Sequence, residues 1–337
     1  MGETTGANAT GTPATRAAPT GAPATGATGI RAAGPDGRVL APDALDGGDL
    51  PTRMLVFGVA HHDGTIAAGD AFAVAEACGR SAEQVRSCLR RLVSEGLFVR
   101  EGVGQRATYS PTEAGLGELS AVGDRALRAR EQDRERDDWD GRWRLVGFAV
   151  PEARRAARDA LRERLGGLGG APVHNGLYVS ARPWEADVVA VATDLGVVEH
   201  LTQATTDRLV VGGESDPSAL AARLWKLDAL AARYQIFVDR WSCVSDSLAR
   251  MRREHTPLPD TAFLPGALAM ALAYQACFAA DPLLPAQLLP RPWPGRAARD
   301  LLVRTRRQAL EVRSESGRPA LFATYHDLVE SSTEEHV

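Results

Sequence analysis

The pattern of hydrophobic and polar positions changes sharply near residue 50. Residues 1–50 are dominated by Ala, Gly, Thr and Pro and hold too few apolar side chains to build a core, so we expect a disordered tail there. From Thr52 onward, apolar residues recur at helical spacing and predict three helices that begin near Met54, Asp70 and Ser81. Ser81 with Gln84 three residues later is a capping-box sequence, which marks the start of the third helix.

Two short strand-like segments follow the third helix, at residues 97–101 and 107–110. Gly102 and Gly104 permit a tight turn between these segments, so we predict a hairpin. The order helix, helix, turn, helix, hairpin over residues 51–112 is typical of a winged helix-turn-helix domain.

The remainder of the chain predicts a connector and two further domains. Thr112 is expected to cap a connecting helix within residues 113–141, and its mixed charges are typical of a solvated helix. Residues 142–215 predict a ferredoxin-like sandwich of order βαββαβ. Its strands are expected at residues 143–150, 176–180, 197–204 and 209–211, with a helix from residue 151 and another at 184–194.

The C-terminal part is helical by pattern. Residues 216–325 predict helices at 219–233, 234–252, 264–279 and 293–312, before a polar tail at 326–337. The apolar stretch 263–280 contains Pro265, Gly266 and Gln275 and is rich in Ala, so we interpret it as a buried helix and expect no membrane partner. The predicted fold class is therefore α+β, with a winged helix-turn-helix, a ferredoxin-like middle domain and a helical C-terminal domain.

The third predicted helix carries the candidate chemistry. One side is apolar and the opposite side is polar and basic, as a helix needs when it is held in a domain while it reads the DNA major groove. Residues 80–109 hold six arginines and three glutamates, although the whole chain has a net charge of −4. The predicted DNA-binding residues on this helix and the hairpin are Ser81, Gln84, Arg86, Ser87, Arg90, Arg91, Gln105 and Arg106.

Other kinds of site find little support in the residue spacing. The four cysteines form no CxxC pair, and His61-His62-Asp63 is interpreted as a polar turn rather than a metal site. No Ser/His/Asp trio or carboxylate pair stands out, and the glycine run at 166–170 follows a helix instead of opening one after a strand. We therefore expect no metal, no cofactor and no enzymatic activity.

Several segments resemble the PaaX-like repressors of phenylacetic acid degradation. These are VRSCLRRLVSEGLF (85–98), GQRATYSPTEAG (104–115), WDGRWRLVGFAVPEARRAARDALRERLGGLG (139–169), GLYVS (176–180) and DPLLPAQLLPRPWPG (281–295). The similarity extends over most of residues 52–312. Ser87, Phe98 and Gln105 depart from the Thr, Trp and Arg that this family commonly has, so the preferred operator is expected to differ.

The resemblance implies a cytoplasmic homodimeric repressor that binds a double-stranded DNA operator and is released by a small-molecule effector. In that family, the effector is an aryl-CoA thioester such as phenylacetyl-CoA. The family's middle domain resembles the CRISPR adaptation nuclease, but here the first strand ends Phe148-Ala149-Val150 and lacks the metal-binding Asp.

A CoA thioester needs cations for its phosphates and an apolar slot for its acyl group. The candidate effector-binding residues are Arg154, Arg155, Arg158, Trp184, Trp225 and Tyr234. Two alternatives stay open at this point: a regulator of secondary metabolism with an unrelated effector, and a protein-interaction module or enzyme that has kept the fold.

Overall fold

Three helices and a small sheet form the first part of the fold. They are α1 (Leu50–Gly58), α2 (Ala68–Ala77) and α3 (Ala82–Ser94), with strands β1 (Ile66–Ala67), β2 (Phe98–Glu101) and β3 (Thr108–Pro111). The strands are antiparallel in the order β1-β3-β2. The order of helices and hairpin follows the sequence prediction, and the two-residue strand β1 was not predicted.

The structure is a computed structural model, and it describes residues 2, 50–134, 139–314 and 318–322. The predicted polar tail at 326–337 lies outside the described residues, as does the predicted N-terminal tail apart from Gly2 and Leu50.

A long connecting helix, α4 (Glu113–Asp133), follows the hairpin. Thr112 caps it as predicted, because its side chain accepts a hydrogen bond from the Gly115 amide. Most of this helix is exposed, as expected of a solvated helix, but Ala129 and Gln132 near its end are buried against the C-terminal part of the chain. The remainder of the predicted connector, residues 135–138, lies outside the described residues.

The middle domain contains one four-stranded antiparallel sheet. Its elements are β4 (Trp143–Phe148), α5 (Arg155–Gly167), β5 (Ala171–His174), β6 (Leu177–Ser180), α6 (Glu185–Asp194) and β7 (Leu201–Thr206). The sheet order is β5-β6-β4-β7, so the chain follows the predicted βαββαβ order. Val146, Leu161 and Val188 are fully buried between the sheet and the two helices.

One predicted strand of this domain begins later than expected, and another is absent. Residues 197–200 form a turn that closes the end of α6, with the Val197 amide bonded to the Ala192 carbonyl, so the strand begins only at Leu201. Residues 209–211 form no strand, since Val211 pairs only with Glu214 across a tight turn. The strand that the sequence did not predict is β5. It is an edge strand with an irregular register beside Pro172, and proline weakens a strand signal in sequence.

Four helices form the C-terminal part. They are α7 (Pro217–Leu224), α8 (Leu227–Arg253), α9 (Asp260–Phe278) and α10 (Pro294–Val312). The predicted helix boundary near residue 233 was wrong, because α8 passes through it without a break. The break lies at Lys226, whose backbone is left-handed with φ of 51°, and no glycine or proline marks it in the sequence.

The first part of the fold shares its core with the C-terminal helices. Residues of α1, α2 and α3 belong to one buried cluster with Leu248 of α8 and Phe263, Leu264 and Leu268 of α9. Among the described residues, α9 is the one helix that is long and apolar enough to cross a membrane. Ten of its residues are buried inside the protein, as the interpretation of a core helix requires.

Candidate DNA-binding surface

Helix α3 is held in place by its apolar side. Val85, Leu89 and Leu92 are at most 1% exposed and pack in the core shared with α1 and α2. The predicted capping box is present at its start. The Ser81 hydroxyl accepts from the Gln84 amide at 3.2 Å, and the Gln84 side chain accepts from the Ser81 amide at 2.9 Å. These contacts fix where the helix begins and which side of it faces solvent.

The outward side of α3 carries three arginines. Arg86, Arg90 and Arg91 are exposed, and Ser87 between them is half-buried. The guanidinium of Arg86 also lies 5.5 Å from the centre of the Phe72 ring, so α2 supports it from one side. No neighbouring part of the described chain covers this row of side chains, and it has the length and charge that a major-groove contact requires.

Glu83 is an acid on the same side of the helix. Its carboxylate pairs with Arg90 at 3.0 Å and with Arg86 at 3.2 Å. The hydrogen bonds from Arg90 and Arg86 lower the pKa of Glu83, so it is ionised at neutral pH. This pairing of Glu83 with two predicted DNA contacts was not predicted, although the i, i+3 spacing of Glu83 and Arg86 on a helix is a signal for it.

Gln84 occupies its predicted capping position, and this use competes with its predicted role as a DNA contact. A bidentate contact to adenine needs both the oxygen and the nitrogen of the side-chain amide. The Gln84 oxygen already accepts from the Ser81 backbone, so Gln84 acts as a helix cap in this structure. Ser81 is engaged in the same capping box.

The hairpin between β2 and β3 presents the other two predicted residues. Gln105 and Arg106 are both exposed in a short helical turn over Gly104–Arg106. Gly102 and Gly104 have positive φ angles of 80° and 60°, which confirms the reason for predicting a turn at these glycines. A β-carbon on Gly69 would lie 3.2 Å from the Gln105 carbonyl, so the turn sits close to α2.

The predicted effector residues are not brought together. Arg154 donates to the Leu195 carbonyl at 3.2 Å and so caps α6, while Arg155 and Arg158 of α5 pair with Glu152 in the turn before that helix. The hydrogen bond from Arg158 to Glu152 raises the pKa of Arg158. All three cations therefore have partners within the middle domain.

The three predicted aromatic residues lie in three different cores. Trp184 belongs to the cluster inside the middle domain, whereas Trp225 stacks on Trp143 with 6.2 Å between ring centres. Tyr234 is wholly buried in the C-terminal part and donates a hydrogen bond to Asp281 at 2.8 Å. No single site contains these six candidate residues.

The polar turn after α1 has the structure expected of a turn. Asp63 accepts hydrogen bonds from the backbone and side chain of Thr65, and His61 lies 3.6 Å from Asp70. Among the residues that the structure describes, no group of three His, Cys, Asp or Glu side chains is placed to hold a metal ion. The four cysteines are free thiols, and burial raises the pKa of Cys78 to about 12.

Comparison with protein families places three consecutive matches along the chain. Residues 54–115 match the description "PaaX-like protein", residues 136–221 match "PaaX protein central Cas2-like domain", and residues 225–316 match "PaaX-like protein C-terminal domain". The chain belongs to the PaaX-like family. The resemblance found in the sequence is thereby confirmed, and so is the α+β fold class with a helical C-terminal part.

Two individual relatives extend this comparison. The chain is 26% identical to the transcriptional repressor PaaX of Escherichia coli (strain K12) over 262 residues, which is 77% of this chain and 79% of the relative. A solved structure of the uncharacterized protein Rv0674 from Mycobacterium tuberculosis is 22% identical. It covers 73% of this chain and 91% of its own, with a TM-score of 0.43.

Proposed function

We propose that this PaaX-like protein is a cytoplasmic transcription repressor that binds double-stranded operator DNA through α3 and the β2–β3 hairpin. One observation carries the proposal: α3 is anchored by buried apolar residues while Arg86, Arg90 and Arg91 remain exposed. The related protein from Escherichia coli supports it, since that protein is a transcriptional repressor.

The arginines have distinct tasks in this proposal. Arg90 and Arg91 lie on the outward side of α3 and enter the major groove, where an arginine pairs with guanine through two hydrogen bonds. Arg106 in the hairpin contacts a phosphate and contributes to affinity without reading sequence. Two copies of the chain bind as a homodimer to half-sites separated by about one helical turn of DNA or a multiple of it.

A small-molecule effector relieves repression by favouring an arrangement of the dimer that does not fit the operator. Such coupling is typically on the order of 1–3 kcal/mol. The family resemblance makes an aryl-CoA thioester the first ligand to test, and the alternative is an unrelated effector. A panel of acyl-CoA thioesters separates the two, because under the alternative none of them weakens operator binding.

The test measures binding of the full chain to a labelled fragment of its own promoter by fluorescence anisotropy at several salt concentrations. Replacing Arg90 and Arg91 together with Ala is expected to weaken binding at least tenfold, at about 1–3 kcal/mol per specific arginine contact. The thermal melt is expected to change little, because exposed ion pairs contribute only about 0–1 kcal/mol.

Arg155→Ala is the matched control. Arg155 is an exposed arginine on another helix, with ion pairs to Glu152 at 3.9 Å and to Asp159 at 3.5 Å. Its loss removes one positive charge from the molecule but none from α3, so DNA binding is expected to stay within about twofold of the wild type. Absence of salt-sensitive binding by the wild-type chain at micromolar concentration contradicts the repressor proposal and favours a protein-interaction module or an enzyme.

A further inference from the structure

A cavity of about 470 Å³ lies between the DNA-binding part and the C-terminal helices. Its walls come from α1, α4, α8, α9 and α10, and no described residue of the middle domain contributes to them. The volume lies within the range of about 300–1,000 Å³ that small-molecule sites occupy. None of the six effector candidates chosen from the sequence lines it.

Most of the wall is apolar. Phe57, Val122, Met270 and Phe278 come from three different helices, and small residues such as Ala267 leave the space between them open. Val122 is 47% exposed, which places it at the mouth of the cavity on α4. Such walls accept an apolar or aromatic body and give it no hydrogen bonds.

Two uncharged wall residues, Trp241 and Thr305, each carry a buried polar atom that makes no hydrogen bond within the described residues. These atoms are the Trp241 indole nitrogen and the Thr305 hydroxyl. Their residues are only 2% and 4% exposed. Buried polar atoms are nearly always paired in folded proteins, so these two donors suit a ligand that brings a hydrogen-bond acceptor into the cavity.

We propose that this cavity is the effector site of the protein and binds a small molecule with an aromatic body and a carbonyl acceptor. The aromatic body fills the apolar space, and the acceptor receives a hydrogen bond from the indole of Trp241 or the hydroxyl of Thr305. This inference rests on the proposed function, because it assigns the site at which a ligand would change DNA binding.

The location of the cavity links ligand binding to the position of the DNA-binding helix α3. Arg53, Met54 and Phe57 of α1 line one wall, and α1 packs directly against α3. The opposite wall belongs to α9 and α10 of the C-terminal part. A ligand that moves these walls relative to one another therefore moves α3 relative to the rest of the molecule.

The first experiment measures binding of the probe 8-anilinonaphthalene-1-sulfonate to the full chain by its fluorescence. Ala267→Phe narrows the cavity and is expected to weaken probe binding about tenfold or more, as loss of a well-formed apolar site implies. Ala276→Phe is the matched control, since Ala276 lies on the same helix but is exposed and outside the cavity. Equal binding by the two variants overturns the proposal, as does the absence of probe binding by the wild type.

The second experiment tests the acceptor with two ligands that differ only in a carbonyl group, 4-phenyl-2-butanone and butylbenzene. Both are expected to displace the probe, and the ketone is expected to bind about three- to tenfold more tightly because it completes a buried hydrogen bond. Trp241→Phe combined with Thr305→Val is expected to remove that difference while butylbenzene still binds. A ketone preference that persists in this variant overturns the assignment of the donors.

The DNA assay separates this inference from the proposed function. A saturating concentration of the ketone is expected to weaken operator binding by the wild type and not by Ala267→Phe. If the operator is bound but the ketone has no effect, the cavity inference fails and the repressor proposal stands. If the ligand binds and no operator is found, the repressor proposal fails instead.

Self-association of the protein gives one further test. If the fluorescence of the bound probe falls as the protein self-associates, a second copy covers the cavity, and the inference is overturned.

Discussion

The buried ion pair between α4 and α10 gives the sharpest quantitative prediction. Arg299 of α10 donates to Asp133 at 2.6 Å and to Gln132 at 2.8 Å, and its third nitrogen lies 3.8 Å from Asp281. The side chains of Arg299 and Asp281 are 9% and 0% exposed. Burial works to lower the pKa of Arg299, but the hydrogen bond to Asp133 and the nearby charges outweigh it and raise the pKa.

Arg299→Met keeps the apolar stem of the side chain and removes its charge. The carboxylates of Asp133 and Asp281 then remain in a poorly solvated site without the cation that they share. Breaking a buried pair in this way costs about 3–5 kcal/mol. Asp133 is 14% exposed and keeps some contact with water, so we expect the lower end of that range. The loss is a large share of the roughly 5–15 kcal/mol that stabilises a typical domain.

The assay is urea unfolding followed by tryptophan fluorescence, with the free energy of unfolding obtained by linear extrapolation. Arg155→Met is the control, because Arg155 is 71% exposed and its ion pairs are expected to contribute less than about 1 kcal/mol. Adding Asp133→Asn to Arg299→Met is expected to recover part of the loss, since it removes one unpaired charge. A cost below about 1 kcal/mol for Arg299→Met refutes the reasoning, because the network would then not hold α4 to the C-terminal part.

Two further predictions concern α3 and the start of α4. Glu83→Gln removes the carboxylate that pairs with Arg90 and is expected to raise DNA affinity about two- to fivefold at low salt in the anisotropy assay, with a smaller gain at high salt. An unchanged affinity means that Glu83 does not compete with DNA for these arginines. Gly115→Ala places a β-carbon 2.0 Å from the Leu97 carbonyl, so we expect it to lower the free energy of unfolding by about 1–3 kcal/mol or more in urea unfolding. Gly117→Ala is its control, because nothing lies within 4 Å of that position and alanine favours a helix; equal effects of the two substitutions contradict the clash.

Features that depend on neighbouring residues could be predicted from the sequence. Ser81 and Gln84 form their capping box because the two groups are only three residues apart, and the apolar spacing of Val85, Leu89 and Leu92 fixes which side of α3 is buried. Gly102 shows its role in the same way, since a tight turn needs a residue that tolerates positive φ. The exposed arginine row of the candidate site follows from these local rules.

Tertiary packing alone decided the rest. The helix break at Lys226 has no local signal; beside it, the indole of Trp225 is fixed by a hydrogen bond to the Gly169 carbonyl, 56 residues earlier. Arg299 and Asp133 are separated by 166 residues, so neither their contact nor the cavity beside them is visible in any sequence window. Local periodicity determined which helices form and which sides they bury, because caps and apolar spacing act within a few residues. The partners of buried charges and the shape of the space between helices depend on residues that only the folded chain brings together.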